Sequence, residues 1–254
     1  MTITFLGTGT SQGVPVIACG CEVCTSSDRR DKRLRSSILI ESDNTTVSID
    51  SGPDFRYQML RANVQRLDAI VYTHEHKDHV AGMDDIRAFN FKQQKPMDVY
   101  AEPRVQAALM REFPYVFDED NRYPGTPQVA MHTISLTPFN IGDIHFIPIE
   151  VMHYRLPVLG FRINDFTYIT DAKTISETEK QKIKGSKILV INALQKQSHI
   201  SHFTLDEAIA FAREIGAGKT YLTHISHRLG KHQVIDAELP NGIELAYDGL
   251  QLSI

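Results

Sequence analysis

The chain has 254 residues, 42% of them hydrophobic and 23% charged, with a formal net charge of −4. That is room for one large domain or two small ones around a substantial core. The slight acidity leaves no overall electrostatic case for nucleic acid or an anionic membrane as a partner. No apolar run approaches the roughly 18–20 residues that span a bilayer, and the start "MTITFLGTGTSQG" lacks the pattern of a signal peptide. The cysteine count is odd, and Cys19 and Cys21 are too close for an unstrained disulfide. A reducing cytoplasm is the predicted setting.

In chain order, short β-type apolar runs are predicted at 2–6, 37–41, 46–50, 68–73 and 97–101, and then at 144–149, 158–163, 166–170, 187–192 and 219–223. Weaker helical patterns fall at 54–62, 103–112 and 176–184, and segment 82–96 reads as a helix carrying Phe89 and Phe91. The clearest helix is 204–215. Thr204 and Glu207 form a capping-box pattern, and Leu205, Ala208, Ile209 and Ala212 make one apolar stripe. The last two runs, 243–247 and 250–254, flank Asp248-Gly249, which predicts a tight hairpin. No low-complexity linker or charge block divides the chain. A single-domain α/β sandwich is expected, rather than a regularly alternating parallel sheet.

The strongest chemical signal is "YTHEHKDH", residues 72–79, placed directly after the run "DAIVY". Imidazole nitrogens and carboxylate oxygens are the ligands that Zn²⁺, Mn²⁺ and Fe²⁺ favour. His74, His76, Asp78 and His79 offer more ligands than one tetrahedral ion takes from a short loop. Two neighbouring ions would use them, His74 and His76 on one, Asp78 and His79 on the other. Glu75 and Lys77 lie between them. A separate cluster, "CGCEVC" at 19–24, holds all three cysteines, and its residues alone do not say what completes the set.

"THEHKDH" after a strand resembles the HxHxDH signature of the metallo-β-lactamase superfamily. That resemblance implies an αββα sandwich with a dinuclear metal centre at one sheet edge. It assigns His153 in "VMHYRLPVLGF" as the next histidine ligand, Asp171 in "FTYITDA" as the bridging aspartate and His224 in "YLTHISH" as the last histidine. Asp50 in "SIDSG" matches a position whose carboxylate orients a metal-bound imidazole, and it reads equally as a turn aspartate before Ser51-Gly52-Pro53.

The stretch "GTGTSQGVPVIACGCEVC", together with "THISH", is similar to the cyclic phosphodiesterase branch of the carbon–phosphorus lyase pathway, which hydrolyses phosphoribosyl cyclic phosphate. In that branch three cysteines and a distant histidine bind a structural zinc. Cys19, Cys21, Cys24 and His227 take those positions, a closed Cys₃His set that would pin an N-terminal loop at about residues 7–30 beside the catalytic centre. The resemblance further implies two catalytic ions (zinc or manganese, with iron or nickel also suited) and attack of a bridging hydroxide on a small cyclic or nucleotide-like phosphodiester. His202, on the loop before the Thr204 cap, is the candidate donor to the leaving oxygen. Asp78 stands with it as a catalytic candidate, and His199 as a second donor. His132, His145 and His232 have no motif context. Segments 82–96 and 192–202 depart from the branch and are expected to line the pocket.

Two other readings follow from the same residues. The tRNA 3′-end processing endonucleases share the ligands but usually carry a basic, glycine-rich arm, which is absent; Lys180, Lys182, Lys184 and Lys187 form only a modest basic run. A non-catalytic metal-binding protein would be expected to have lost ligands. A homodimer paired along a strand edge fits the superfamily, and the sequence leaves oligomeric state open.

Overall fold

The structure is a computed structural model that describes residues 1–118, 120 and 123–254. The first half of the chain lays down β1 (Thr2–Gly7), β2 (Ser37–Glu41), β3 (Thr46–Ile49), β4 (Ala69–Val71), β5 (Met97–Ala101) and β6 (Val129–Thr133). The second half adds β7 (Phe139–Ile141), β8 (Ile144–His153), β9 (Leu156–Ile163), β10 (Phe166–Tyr168) and β11 (Thr174–Ile175). It continues with β12 (Ile188–Asn192), β13 (Lys219–Thr223), β14 (Ile243–Leu245) and β15 (Gln251–Ser253). One sheet runs in the order β15-β1-β2-β3-β4-β5-β6, and the other β11-β8-β9-β10-β12-β13-β14 with β7 against β8.

Side chains that alternate along each strand fill two different cores. Ile3, Phe5, Ile38, Ile40, Val47 and Ile49 point inward and meet Phe146, Leu159, Phe161, Tyr168 and Val190 of the facing sheet. Their neighbours Leu6, Leu39, Ile70 and Val99 point outward. There they pack on α1 (Phe55–Arg61), α2 (Lys77–Val80), α3 (Arg87–Gln93), α4 (Pro103–Glu112) and α5 (Pro114–Phe117). On the far side, Leu189, Ile191 and Leu222 pack under α6 (Glu177–Ile183), α7 (Leu205–Ile215) and α8 (His232–Glu238). Both faces of both sheets are covered, which is why so many runs read as continuously apolar. The result is a four-layer αββα sandwich.

The helix at 204–215 forms as its caps dictate. Thr204 accepts from the Glu207 amide, Glu207 reciprocates, and Gly216 ends the helix at φ 68°. The hairpin predicted at Asp248-Gly249 does not form. β14 pairs with β13 in one sheet and β15 with β1 in the other, so the turn carries the chain between sheets. The Asp248 carboxylate, nearly buried, accepts from the Thr8 amide at 2.9 Å, the Thr8 hydroxyl at 2.8 Å and the Leu34 amide at 2.8 Å. It ties the C-terminal turn to the N-terminal loop. No described helix is long and apolar enough to cross a membrane.

Within the sheets, β3, β4, β5 and β6 are mutually parallel, as are β10, β12, β13 and β14. Their carboxyl ends share one edge of the sandwich, where the loops open into a cleft. Ligand sites of α/β sheets form at such ends.

Candidate metal centre and catalytic site

Each candidate ligand sits just beyond a strand of that edge. His74 and His76 follow β4, Asp78 and His79 begin α2, His153 ends β8, Asp171 follows β10 and His224 follows β13. The Ser51-Gly52 turn after β3 packs directly beneath α2. The Ser51 amide donates to the His79 carbonyl at 2.8 Å, and a Cβ at Gly52 would stand 2.1 Å from the Asp78 carbonyl oxygen. Only glycine lets the two backbones approach this closely.

The ligating atoms converge on Asp171. His74 Nε2 lies 3.7 Å from Asp171 Oδ2, and His79 Nε2 lies 3.6 Å from Oδ1. His79 Nε2 is also 3.2 Å from Asp78 Oδ2, and His224 Nδ1 is 3.0 Å from Asp171 Oδ1. Two groups with ligand atoms inside 4.8 Å result, Asp78-His79-Asp171-His224 and His74-His76-Asp171, with Asp171 in both. A third group, His153-Asp171-His202, adjoins them. The donor set fits divalent cations on a further ground. His74 Nε2 and His79 Nε2 are buried and, among the described residues, have no hydrogen-bond partner. Buried polar atoms of that kind cost stability unless something satisfies them.

Hydrogen bonds behind the ligands set their orientation. Asp50, fully buried, accepts from His79 Nδ1 at 2.7 Å and from the amide and hydroxyl of Thr73. That bond directs the Nε2 of His79 into the cleft. Asp50 combines the two features expected of it, a hydrogen bond to the His79 imidazole and a turn conformation at φ 65°. His153 Nδ1 bonds the carbonyls of Ser201 at 2.9 Å and Asp171 at 3.1 Å, leaving Nε2 toward the other histidines. Ser36 Oγ and Thr170 Oγ1 flank His224 Nδ1 at 3.2 and 3.4 Å. Neither Ser36 nor Thr170 carries a recognisable signal in the sequence. Asp171 and His224, like Asp50, occupy the left-handed region, at φ 57° and 54°, a strain that clusters at functional sites.

Titration follows burial and charge. Burial pushes His74 well below its ordinary value and His76 down as well. For His79 burial acts downward too, but the carboxylates of Asp78, Asp171 and Asp50 outweigh it and hold it well above. Burial pushes the His202 imidazole down to about 3, against the opposing pull of Asp171. His202 is nearly buried between His153, ring centres 4.5 Å apart, and His224, 4.8 Å apart. Its Nδ1 has no hydrogen-bond partner among the described residues. His199, half-buried, lies 5.1 Å beyond it.

The cysteines answer to a histidine brought from the far end of the chain. Cys19, Cys21 and Cys24 Sγ lie 3.4, 3.4 and 3.6 Å from His227 Nδ1. Zn–S and Zn–N bonds at tetrahedral angles would separate sulfur from nitrogen by about 3.6 Å. The amides of Val16 and Cys24 donate to the Cys24 and Cys21 sulfurs. The Cys24 amide and His227 draw the Cys21 thiol down to about 6, while burial raises Cys24 to about 11. The N-terminal loop is stitched to the His224 segment, with Thr10 N donating to Ile225 O and Ile225 N to Thr8 O.

The cleft beside the histidines, about 450 Å³, is lined by His76, His153, Tyr154, Arg155, Leu156, Ile200 and Ser201. Segment 192–202 thus reaches it as expected. Segment 82–96 does not. Phe89 is buried under the outer helices and, with Asp85, Ala88 and Lys92, lines a separate groove against α1. The amphipathic pitch of α3 turns Phe89 inward and leaves Phe91 60% exposed. Of the histidines without motif context, His132 pairs with Asp98 at 2.7 Å, His145 with Asn140 at 2.6 Å and buried His232 with Arg33 at 3.0 Å. All three lie outside the metal clusters.

A family profile described as a β-lactamase superfamily domain matches residues 45–225. Among solved structures, a diphosphatase from the PhnP family is 39% identical with a TM-score of 0.93, covering 100% of this chain and 97% of that one. An octanoyltransferase from Porphyromonas gingivalis is 41% identical over the whole of this chain, which spans only 52% of that relative's length. A ribonuclease Z from Mycobacterium sp. (strain KMS) is 23% identical over 85% of this chain and 89% of its own length. The protein therefore belongs to the metallo-β-lactamase superfamily and, within it, to the PhnP-like branch.

Proposed function

We propose that the protein is a metal-dependent phosphodiesterase acting on a small cyclic or nucleotide-like phosphodiester. The observation that carries this reading is the convergence of His74, His76, Asp78, His79 and His224 on Asp171, with two buried imidazole nitrogens lacking partners. His74, His76 and His153 would hold one divalent ion and Asp78, His79 and His224 the other, with Asp171 facing both. Such ions supply Lewis acidity, acidifying water and neutralising charge that develops on phosphoryl oxygens. In the hydrolysis a water oxygen bonds to phosphorus, and the bond to the leaving oxygen breaks with its electron pair. The attacking water gives up a proton as its oxygen bonds to phosphorus, and the leaving oxygen takes one up. His202, held neutral at neutral pH by burial, keeps one ring N–H with which to hydrogen-bond the leaving oxygen as charge develops on it. Cys19, Cys21, Cys24 and His227 would hold a structural zinc that fixes the N-terminal loop beside His224.

An RNA phosphodiester is the second reading, favoured by the ribonuclease Z likeness. The lysine run speaks against it as a nucleic-acid face. Lys180 pairs with Glu177 and Glu214, Lys182 with Glu179, and Lys187 with Asp165. The test loads the full chain with Mn²⁺ or Zn²⁺ and compares phosphoribosyl cyclic phosphate, an aryl phosphodiester, a precursor tRNA and a thioester. Cleavage of a small phosphodiester is expected. His202→Ala should retain the metals and lose about 10²-fold in turnover. Turnover of the thioester alone would overturn the phosphodiesterase reading, and an unchanged rate in His202→Ala would remove that residue from the chemistry.

A further inference from the structure

The hairpin between β8 and β9 has an unusual tip. His153 pairs with Leu156 as the last rung, so Tyr154 and Arg155 alone make the turn. Two-residue hairpin loops favour Asn-Gly or glycine because they need positive φ. Here a tyrosine adopts it, at φ 57°, a costly conformation for a bulky side chain. The other non-glycine left-handed residues away from the candidate ligand cluster are, among the described residues, Ala18, Asn63, Gln94 and Asn164, none of them aromatic. Such an outlier points to a use for its side chain.

Tyr154 is 50% exposed, and Arg155 places its guanidinium over one face of its ring, 5.1 Å from the centroid. Among the described residues Arg155 has no carboxylate partner. Ile200, which lines the same cleft, is 66% exposed, on the segment that His153 anchors through the Ser201 carbonyl at 2.9 Å. The hairpin is braced from its other side. Arg104 pairs with Glu75 of the histidine loop at 2.8 Å and donates to the Pro157 carbonyl at 2.6 Å. A braced mouth therefore stands next to His76 and His153, with an aromatic face, an aliphatic face and a guanidinium that has no carboxylate partner among the described residues.

We infer that this mouth is a subsite for a nucleoside carrying a second phosphate: the base stacks on Tyr154 against Ile200, and Arg155 pairs with the phosphate that is not cleaved. The inference rests on the phosphodiesterase reading and narrows its substrate to nucleotide diesters with an additional anionic group.

The test uses the metal-loaded full chain and three cyclic phosphates. These are 2′,3′-cyclic AMP (base, no second phosphate), phosphoribosyl 1,2-cyclic phosphate (second phosphate, no base) and adenosine 2′,3′-cyclic phosphate 5′-phosphate (both). The last should show the lowest KM. Tyr154→Ala should raise KM about 10-fold for the two adenine compounds alone, with Tyr154→Phe restoring it. Arg155→Ala should raise KM about 10-fold for the two compounds with a second phosphate. In each variant kcat should hold. Uniform changes across the three compounds, or none, would overturn the subsite. If the wild-type chain cleaves none of them, the phosphodiesterase reading fails separately, and equilibrium binding of adenosine 3′,5′-bisphosphate decides the subsite. Binding weakened about 10-fold by Tyr154→Ala supports it, whereas equal affinity or no binding rejects it.

Discussion

Asp50→Asn is the most informative single change at the metal centre. The Asp50 carboxylate accepts three different hydrogens, from His79 Nδ1 at 2.7 Å and from the Thr73 amide and hydroxyl at 2.9 Å. Asparagine has nearly the same shape and tolerates the left-handed backbone found there, at φ 65°. Its amide, however, offers one acceptor oxygen and one donor nitrogen. If the oxygen stays with Thr73, the NH₂ faces His79 Nδ1 and favours the tautomer that puts the proton on Nε2. That tautomer cannot ligate a cation. If the amide flips, the Thr73 N–H loses its acceptor instead. Loss of such an orienting bond typically weakens metal affinity 10- to 100-fold, about 1.4–2.7 kcal/mol. Competition against a chromophoric chelator would measure it, with thermal unfolding of the metal-free protein run in parallel. The expected result is weakened binding of one ion with the fold intact. Asp50→Ala should add a loss of about 1–3 kcal/mol in folding stability, since the buried Thr73 donors lose their acceptor. Full metal affinity in Asp50→Asn would show that Asp50 merely shapes the turn.

His232 gives a pH-dependent prediction away from the metals. Burial first, and then the Arg33 guanidinium 3.0 Å away, push it down to about 4 from an ordinary 6.5. A base whose folded pKa is depressed contributes stability above its unfolded pKa, and loses it as pH falls from 6.5 toward 4. The whole contribution is on the order of 3 kcal/mol. Denaturant titrations across that window should show a shallower pH dependence for His232→Gln than for wild type, and equal slopes would sink the assignment. Cys21→Ser should cost one zinc equivalent per chain and raise hydrogen exchange along the N-terminal loop. Metal content that stays unchanged would refute the Cys₃His site.

Much of the fold was legible because each strand and helix is specified by residues close in sequence. The runs 37–41, 97–101 and 219–223 form strands with those bounds, and the capping box and Gly216 fix α7. The failures lie where a local pattern has to choose a distant partner. Asp248-Gly249 has hairpin chemistry, but nothing local says that β15 finds β1 while β14 finds β13. β6, a half-exposed sheet edge, and α8, which has no side-chain cap, also went unannounced; each is short and lacks a clear apolar periodicity of its own.

The candidate site divides along the same line. His74, His76, Asp78 and His79 declare themselves because one loop holds all four, whereas Asp171 and His224, each a lone residue at a strand end, are picked out only by the family resemblance. What makes them a site rather than a set of ligands is built across long separations. Ser36 reaches His224 over 188 positions of chain and Asp50 reaches His79 over 29. It is also built from backbone strain. Asp50, Asp171, His224 and Tyr154 all hold φ between 54° and 65°, each at a cost of about 1–3 kcal/mol. Strain of that kind survives only where the surroundings over-determine it. Here the two packed sheets, the glycine contact under α2 and the Arg104 brace do so, and none of them is visible in a motif. Asp171 and His224 stand in the cluster of candidate ligands, Asp50 lies behind it against His79, and Tyr154 lies at the mouth of the cleft. The same physical device thus marks both where a phosphodiester would be cleaved and where the rest of it would rest.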